Sequence, residues 1–229
     1  MALLSDSGIC RVLDRLGVRY RRGQAYLHSP DPDYARKMAV LAWAWEYVQA
    51  RPSRRVFLYQ DEFSYYRRPS VARAYGAAGR GPGPRAAQGL GRNRLRRVIG
   101  VLDRRSGRLF CWQRSRANVV TLIRFFHAVA EVYPEAETVW IALDNWPVHF
   151  HADLQAALAG SKIRLLRLPT YAPWTNPIEK VWRWLHHDVL HQHEFGDDWE
   201  GLQQAVSRWL SQWSGNSPQL LRYVGLAPD

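Results

Sequence analysis

The sequence predicts an α/β domain preceded by a short helical segment. Three observations carry that expectation. Five short runs of apolar residues, bounded by turn residues, have the length and composition of strands. The last two alternate with stretches of helical periodicity. And 229 residues with 47% apolar content suffice for one sizeable core plus an appendage.

In chain order, residues 1–22 read as a helix, with Ile9, Val12, Leu13 and Leu16 on one face, running into Gly17 and a basic VRYRR segment. A short helix followed by an extended basic segment fits the end of a helix-turn-helix or winged-helix unit. HSPDPDY (28–34) is a turn-rich connector, and a helix follows from about Tyr34 to Ala50.

RRVFLYQDEF (54–63) is strand-like and apolar until it meets Asp61 and Glu62. A long Arg/Gly/Pro stretch separates it from VIGVLD (98–103), which the tight turn RRSGR joins to LFCWQ (109–113). These three runs read as antiparallel strands. A helix over 117–132 places Val119, Leu122, Ile123, Phe126 and Ala130 at helical spacing.

TVWIALDN (138–145) is a second apolar strand ending on an acid. HADLQAALAG is a short helix stopped by Gly160, and KIRLLRLP (162–169) is a fifth strand. A helix begins at Pro177, and 197–213 is a last amphipathic helix; residues 216–229 read as a tail.

Composition narrows the partners. Thirty-two basic against twenty acidic side chains give a net charge of +12 and a pI near 10.2. Only Lys37, Lys162 and Lys180 are lysine, leaving 32 − 3 = 29 arginines. Arginine grips phosphate with a planar fork and stacks on bases, so the excess points to a polyanion. A GC-rich coding bias would explain the Arg/Lys ratio but not the net excess. No run reaches the ~20 apolar residues of a membrane span, and the acids and arginines of the first residues are unlike a signal peptide. A soluble intracellular protein is expected. Cys10 and Cys111 are too few for a disulfide framework and read as packing residues.

Two acids stand near the ends of otherwise apolar strands: Asp61 and Asp144. An unpaired charge there is costly, so each must be hydrogen-bonded, neutralised or bound to a cation. Glu179 has a structural reading as well. Asn176 is a good N-cap, Pro177 suits the first helical position, and Glu179 stands at the capping-box position. The core stripe of that helix is Ile178, Val181, Trp182, Leu185 and Val189, with Glu179 about 100° from its centre, at the rim. Taken together, the three carboxylates could hold two Mg²⁺ or Mn²⁺ ions about 3.5–4 Å apart and support in-line displacement at phosphorus.

The segments YQDEF around Asp61, ALDNWPVH around Asp144 and PTYAPWTNPIEKVWRWL around Glu179 resemble the DDE transposases of bacterial insertion sequences in the mariner-like superfamily. Between Asp144 and Glu179 lie 179 − 144 − 1 = 34 residues, the spacing of that branch. The resemblance covers about residues 5–215. It implies a ribonuclease H-like fold, a mixed five-stranded sheet flanked by helices, and metal-dependent DNA cleavage and strand transfer, that is, DNA transposition and recombination. Asp61, Asp144 and Glu179 would be the catalytic metal ligands, with two Mg²⁺ (or Mn²⁺) ions. The partners would be double-stranded DNA, at element ends and target, and a second copy in a homodimer, with a cytoplasmic, nucleoid-associated location in a bacterium.

Around these acids, Glu62 points to the opposite face from Asp61 and reads as a supporting acid. Asn145 and His149 would orient Asp144 or touch DNA, or else be a helix-starting Asn and a surface His. Asn176 would cap the helix and position Glu179. Trp174, Trp182 and Trp184 could stack on an unpaired base, although helical spacing makes Trp182 a core residue. Arg67, Arg68, Arg73, Arg80, Arg85, Arg92, Arg94, Arg96 and Arg97 would contact phosphates, unless the segment is a solvated loop.

Members of the resembled family usually carry two further N-terminal DNA-binding units. By that measure the chain reads as truncated: 1–33 a remnant of the recognition region and its linker, 34–215 the catalytic domain, 216–229 a tail. Two rival readings remain, an idle remnant that binds DNA non-specifically or inhibits full-length transposase, and a host nuclease of the same fold.

Overall fold

The computed structural model describes residues 6–18, 28–73 and 85–227. Helix α1 (Asp6–Arg15) has no buried residue, and its apolar side chains Ile9, Val12 and Leu13, with Leu16 just beyond it, stay exposed. Cys10 is exposed on it, contrary to the packing role expected; Cys111 is half-buried.

From α2 (Tyr34–Gln49) the chain enters β1 (Arg55–Tyr66), β2 (Leu95–Asp103) and β3 (Leu109–Arg114). Helix α3 (Val119–Val132), strand β4 (Thr138–Leu143), helix α4 (Ala152–Leu158) and strand β5 (Ile163–Arg167) follow. Helices α5 (Ile178–Leu185), α6 (Trp199–Ser211) and α7 (Pro218–Val224) complete the order. The sheet order is β3-β2-β1-β4-β5. The first three strands are antiparallel neighbours, while β1–β4 and β4–β5 are parallel, so the sheet is mixed.

Alternation along the strands gives the sheet two apolar faces. On one, Leu58, Ile99, Val101, Val139 and Ile141 pack with α3 and α4. On the other, Phe57, Tyr59, Val98, Leu102 and Ala142 pack with α2, α5, α6 and α7. Helices thus cover both faces, and the central strands are buried.

Three differences from the sequence expectation bear on the site. First, β1 runs to Tyr66, so Asp61 is internal to the strand rather than near its end. It tolerates an acid because β1 pairs with β4 only over 55–59; beyond Tyr59 only β2 lies alongside, with Gly100 opposite Asp61. Second, α5 passes into a π-helical turn over His186–Leu190, and Ser70 bridges to His191 beyond it. Third, the expected tail contains α7. Ser217 Oγ accepts the Leu220 N–H at 3.0 Å, Pro218 takes the first turn, and Gly225 closes the helix at φ +81°, a left-handed conformation open to glycine. Leu220, Leu221 and Val224 are buried. At about 1.5–3 kcal/mol for a fully buried aliphatic side chain, the three suffice to hold a two-turn helix in place.

Candidate active site

Asp61 (β1), Asp144 (one residue past β4) and Glu179 (first turn of α5) border one cleft of about 350 Å³. The loop 168–173 and Asn176 complete its wall. The topology explains the convergence. β1 and β4 are parallel neighbours, so their C-terminal ends lie together, and β5 leads from the same end into the loop before α5.

Asp61 faces α5, where Trp182 Nε1–H donates to its Oδ2 at 3.0 Å. Trp182 stacks on Phe63, ring centroids 5.8 Å apart. Gly100 makes room for that indole: a Cβ there would stand 2.6 Å from Trp182 Cη2. Burial, then the charges of Glu179, Glu62 and Asp144, push Asp61 up to about 8. Burial also raises Glu179; Arg183 opposes the shift and Asp144 adds to it.

One residue on, Glu62 points through the sheet to the other face, as alternation requires. There it meets His149, which is fully buried in the 3-10 turn Pro147–Phe150. His149 Nε2–H donates to Glu62 Oε1 and Nδ1–H to Asp144 Oδ1, each at 3.0 Å. Burial works against charge on the ring, but the hydrogen bonds to Asp144 and Glu62 outweigh it and lift His149 to about 9. For Asp144 burial is likewise overcome, by His149 and by the Trp146 N–H at 3.0 Å, and its carboxyl lies below the usual range. His149 is therefore paired with Asp144 and is no surface residue.

Two expectations about asparagines change. Asn176 is not a side-chain cap: α5 has no such bond, and the capping box between Asn176 and Glu179 does not form. Its side chain, buried, donates instead to Gln60 O on β1 at 3.0 Å, tying the start of α5 to the residue before Asp61. Only its backbone carbonyl receives Glu179 N–H, at 3.2 Å. Asn145 starts no helix; it donates to Leu168 O at 2.7 Å and to Thr170 Oγ1 at 3.4 Å, holding the cleft wall.

The arginines of 67–97 divide. Arg67 is buried, 3.6 Å from Asp197 and bonded to Gly91 O, so it fastens loops together instead of presenting to solvent. Arg97 is half-buried and donates to Ser64 Oγ, and Arg96 is half-buried beside it on β2. Arg68, Arg73, Arg85, Arg92 and Arg94 are exposed. Arg80 lies outside the described residues. Of the tryptophans, Trp182 and Trp184 are packed against aromatic neighbours, whereas Trp174 is 41% exposed. Tyr171, on the cleft wall, is 79% exposed and adopts φ +52°.

The donor set suits a hard divalent cation: three carboxylates and no thiolate line the cleft, and burial first, then the neighbouring carboxylates, raise Asp61 to about 8. Among the described residues no three His, Cys, Asp or Glu side chains form a ready-made cage. Repulsion between like charges opposes one. None of the described helices is long and apolar enough to cross a membrane.

Residues 56–200 match the model of a family described as DDE superfamily endonuclease. An insertion element IS630 uncharacterized 39 kDa protein from Shigella sonnei is 25% identical over 203 residues, which cover 88% of this chain and 57% of that protein. The chain thus spans little more than half of that relative's length. Among solved structures, the Mos1 transposase paired-end complex with left transposon end matches 96% of this chain and 67% of its own, with TM-score 0.63 and 18% identity. The Mos1 transposase catalytic domain with raltegravir and Mn matches 88% and 91%, with TM-score 0.56 and 14% identity. At such identities the likeness shows the fold, which is the ribonuclease H-like one.

Proposed function

The chain belongs to the DDE superfamily endonucleases, and on that footing we propose that it is the catalytic part of a transposase that cuts DNA and joins the cut end to a target. One observation carries the proposal: Asp61, Asp144 and Glu179, with 34 residues between the last pair, line the same cleft in a fold shared with Mos1 transposase.

In this reading the three carboxylates hold Mg²⁺ or Mn²⁺, two ions in the active state. A metal bound there would lower the pKa of the attacking water or 3′-hydroxyl and stabilise the leaving oxygen. The chain's own groups set the geometry. Trp182 fixes one oxygen of Asp61, and His149 fixes one oxygen of Asp144 while keeping it ionised. Asn176 locks α5, and so Glu179, to β1. In cleavage a water oxygen bonds to phosphorus and the bond to the 3′-oxygen breaks, leaving a 3′-hydroxyl and a 5′-phosphate. In strand transfer the oxygen of that 3′-hydroxyl bonds to a target phosphorus and loses its proton, while the bond from that phosphorus to the target's own 3′-oxygen breaks and frees a target 3′-hydroxyl.

The partner in this reading is double-stranded DNA, both element ends and target, engaged by a homodimer associated with the nucleoid. The Mos1 relatives were solved in complexes with transposon-end DNA and with Mn or Mg. Arg68, Arg73, Arg85, Arg92 and Arg94, exposed beside β1 and β2, supply phosphate contacts without sequence choice.

The test is nicking of supercoiled plasmid with Mn²⁺ or Mg²⁺, comparing the chain with Asp144→Ala. Loss of nicking in the variant supports the reading. Equal inactivity of both would identify an idle DNA-binding remnant, and cleavage without joining would identify a nuclease.

A further inference from the structure

Ahead of α2, the segment Ser29–Pro30–Asp31 lies against the cleft wall although 139 residues separate Asp31 from Thr170. Both backbone groups of Thr170 are taken by it. Ser29 Oγ donates to Thr170 O at 2.6 Å, and the Thr170 N–H donates to Asp31 Oδ2 at 2.7 Å. The same Oδ2 receives Lys37 Nζ at 2.7 Å, and Oδ1 receives the Asp33 N–H at 2.9 Å. Only 4% of the Asp31 side chain and 5% of Ser29 are exposed. The Asp31 carboxylate thus accepts two backbone N–H groups and one lysine, charge-assisted bonds that tie this segment firmly to a loop far away in sequence.

What the segment anchors is the wall beside the acids. Thr170 is held from its other side by Asn145, the neighbour of Asp144, through Thr170 Oγ1 and Leu168 O. The next residue, Tyr171, stands exposed on the wall at φ +52°, a left-handed conformation that a non-glycine residue keeps only when its surroundings impose it.

We propose that Ser29 and Asp31 form a strap, with Asp31 a positioning residue that acts through Thr170 to set the wall against which DNA is held for reaction. The proposal deepens the transposase reading and rests on it for its catalytic part. With the strap intact, Tyr171 is presented at the cleft beside the reacting phosphodiester. With it cut, the wall loosens while the sheet and the acids remain.

The test uses the full chain with Asp31→Ala, Asp31→Asn and Lys37→Met, and Arg36→Ala as a control on the same helix. Hydrogen exchange is read at Thr170–Ala172 and, for comparison, at Val139–Leu143 of β4. In Asp31→Ala the wall amides should exchange about tenfold faster with β4 unchanged, Asp31→Asn and Lys37→Met should fall between, and Arg36→Ala should match the unmodified chain. Nicking with Mn²⁺ at saturating plasmid should fall about tenfold in Asp31→Ala, with DNA affinity in Ca²⁺ changed less than twofold.

Unchanged wall exchange overturns the strap. Faster exchange with unchanged nicking overturns its positioning role, leaving a structural tie. If the unmodified chain does not nick DNA, the transposase reading fails, and the exchange experiment still decides whether the strap sets the wall. Should Asp31→Ala not fold, Ser29→Ala removes the bonds of Ser29 Oγ to Thr170 O and from the Asp31 N–H, keeps the Lys37 pair, and decides the same points.

Discussion

Trp182 Nε1 and Asp61 Oδ2 stand 3.0 Å apart, joining a core side chain of α5 to an acid of β1 across the face of the sheet. The indole does two things: it fills the space left by Gly100 and holds one carboxylate oxygen of Asp61. Trp182→Phe keeps a ring on Phe63 but deletes the N–H. We expect nicking to fall about tenfold, in line with loss of a hydrogen bond to a charged group. Gly100→Ala would drive a methyl toward Trp182 and Cys111 Sγ, at 2.6 and 2.9 Å, and should cost about 1–3 kcal/mol in urea unfolding. Full activity in Trp182→Phe would reduce that residue to packing.

His149 joins Asp144 to Glu62 beneath the cleft. A supporting hydrogen-bond partner of a metal ligand is typically worth about 10–100-fold in metal affinity or activity, and His149→Gln should lose that much in Mn²⁺-dependent nicking. Its stability contribution has a definite pH window. The folded pKa is raised from 6.5 to about 9, so the contribution is complete below 6.5 and lost as pH rises through 9. The difference in melting temperature between wild type and His149→Gln should therefore be constant below pH 6.5 and shrink toward pH 9. A difference that grows with pH would refute the bridge as a charged one.

Asp61 is raised to about 8 by burial and by neighbouring carboxylates. In the metal-free protein its share of stability is present below about 3.8 and lost as pH rises toward 8, so Asp61→Asn should flatten that decline. Because a ligand carboxyl must be ionised, Mn²⁺ binding at pH 7 should release about one proton from wild type and none from Asp61→Asn. Calorimetry in two buffers of different ionisation enthalpy reads the number directly.

Asn176 replaces a helix cap with a tie between elements. Removing an ordinary N-cap costs ~1 kcal/mol, whereas Asn176→Ala also strands the Gln60 carbonyl inside the protein. We expect about 1–3 kcal/mol of destabilisation by urea unfolding. Asn176→Ser, whose hydroxyl is too short to span from α5 to β1, should recover little of it. Recovery by serine would restore the capping reading.

The exposed arginines should give salt-dependent, sequence-blind binding. Reversing Arg92 and Arg94 together to Glu should weaken binding to any duplex and lower the slope of log K against log salt by about 2. Arg67→Ala should act on stability instead, since that guanidinium is buried against Asp197 and Gly91.

The sequence by itself determined the strands, most helices, and the three acids with their spacing. These are local signals: short continuous apolar runs show in VFLY and VIGV, a 3.6-residue period in α3 and α5, and a charge after an apolar run needs no tertiary knowledge. The helix at 218–224 reads in the sequence as a tail: Ser217, Pro218 and Gly225 mark its ends, but seven residues are too few for periodicity to show. Tertiary structure alone decided what the side chains do. Asn176 has the local credentials of a cap, yet its amide is spent on Gln60, 116 residues away. His149 carries no mark of burial in PVHF, and Thr170 none of its dependence on Asp31. Such contacts depend on where loops bring separate elements, and hydrogen bonding between distant segments follows from packing distances that no short window of sequence contains.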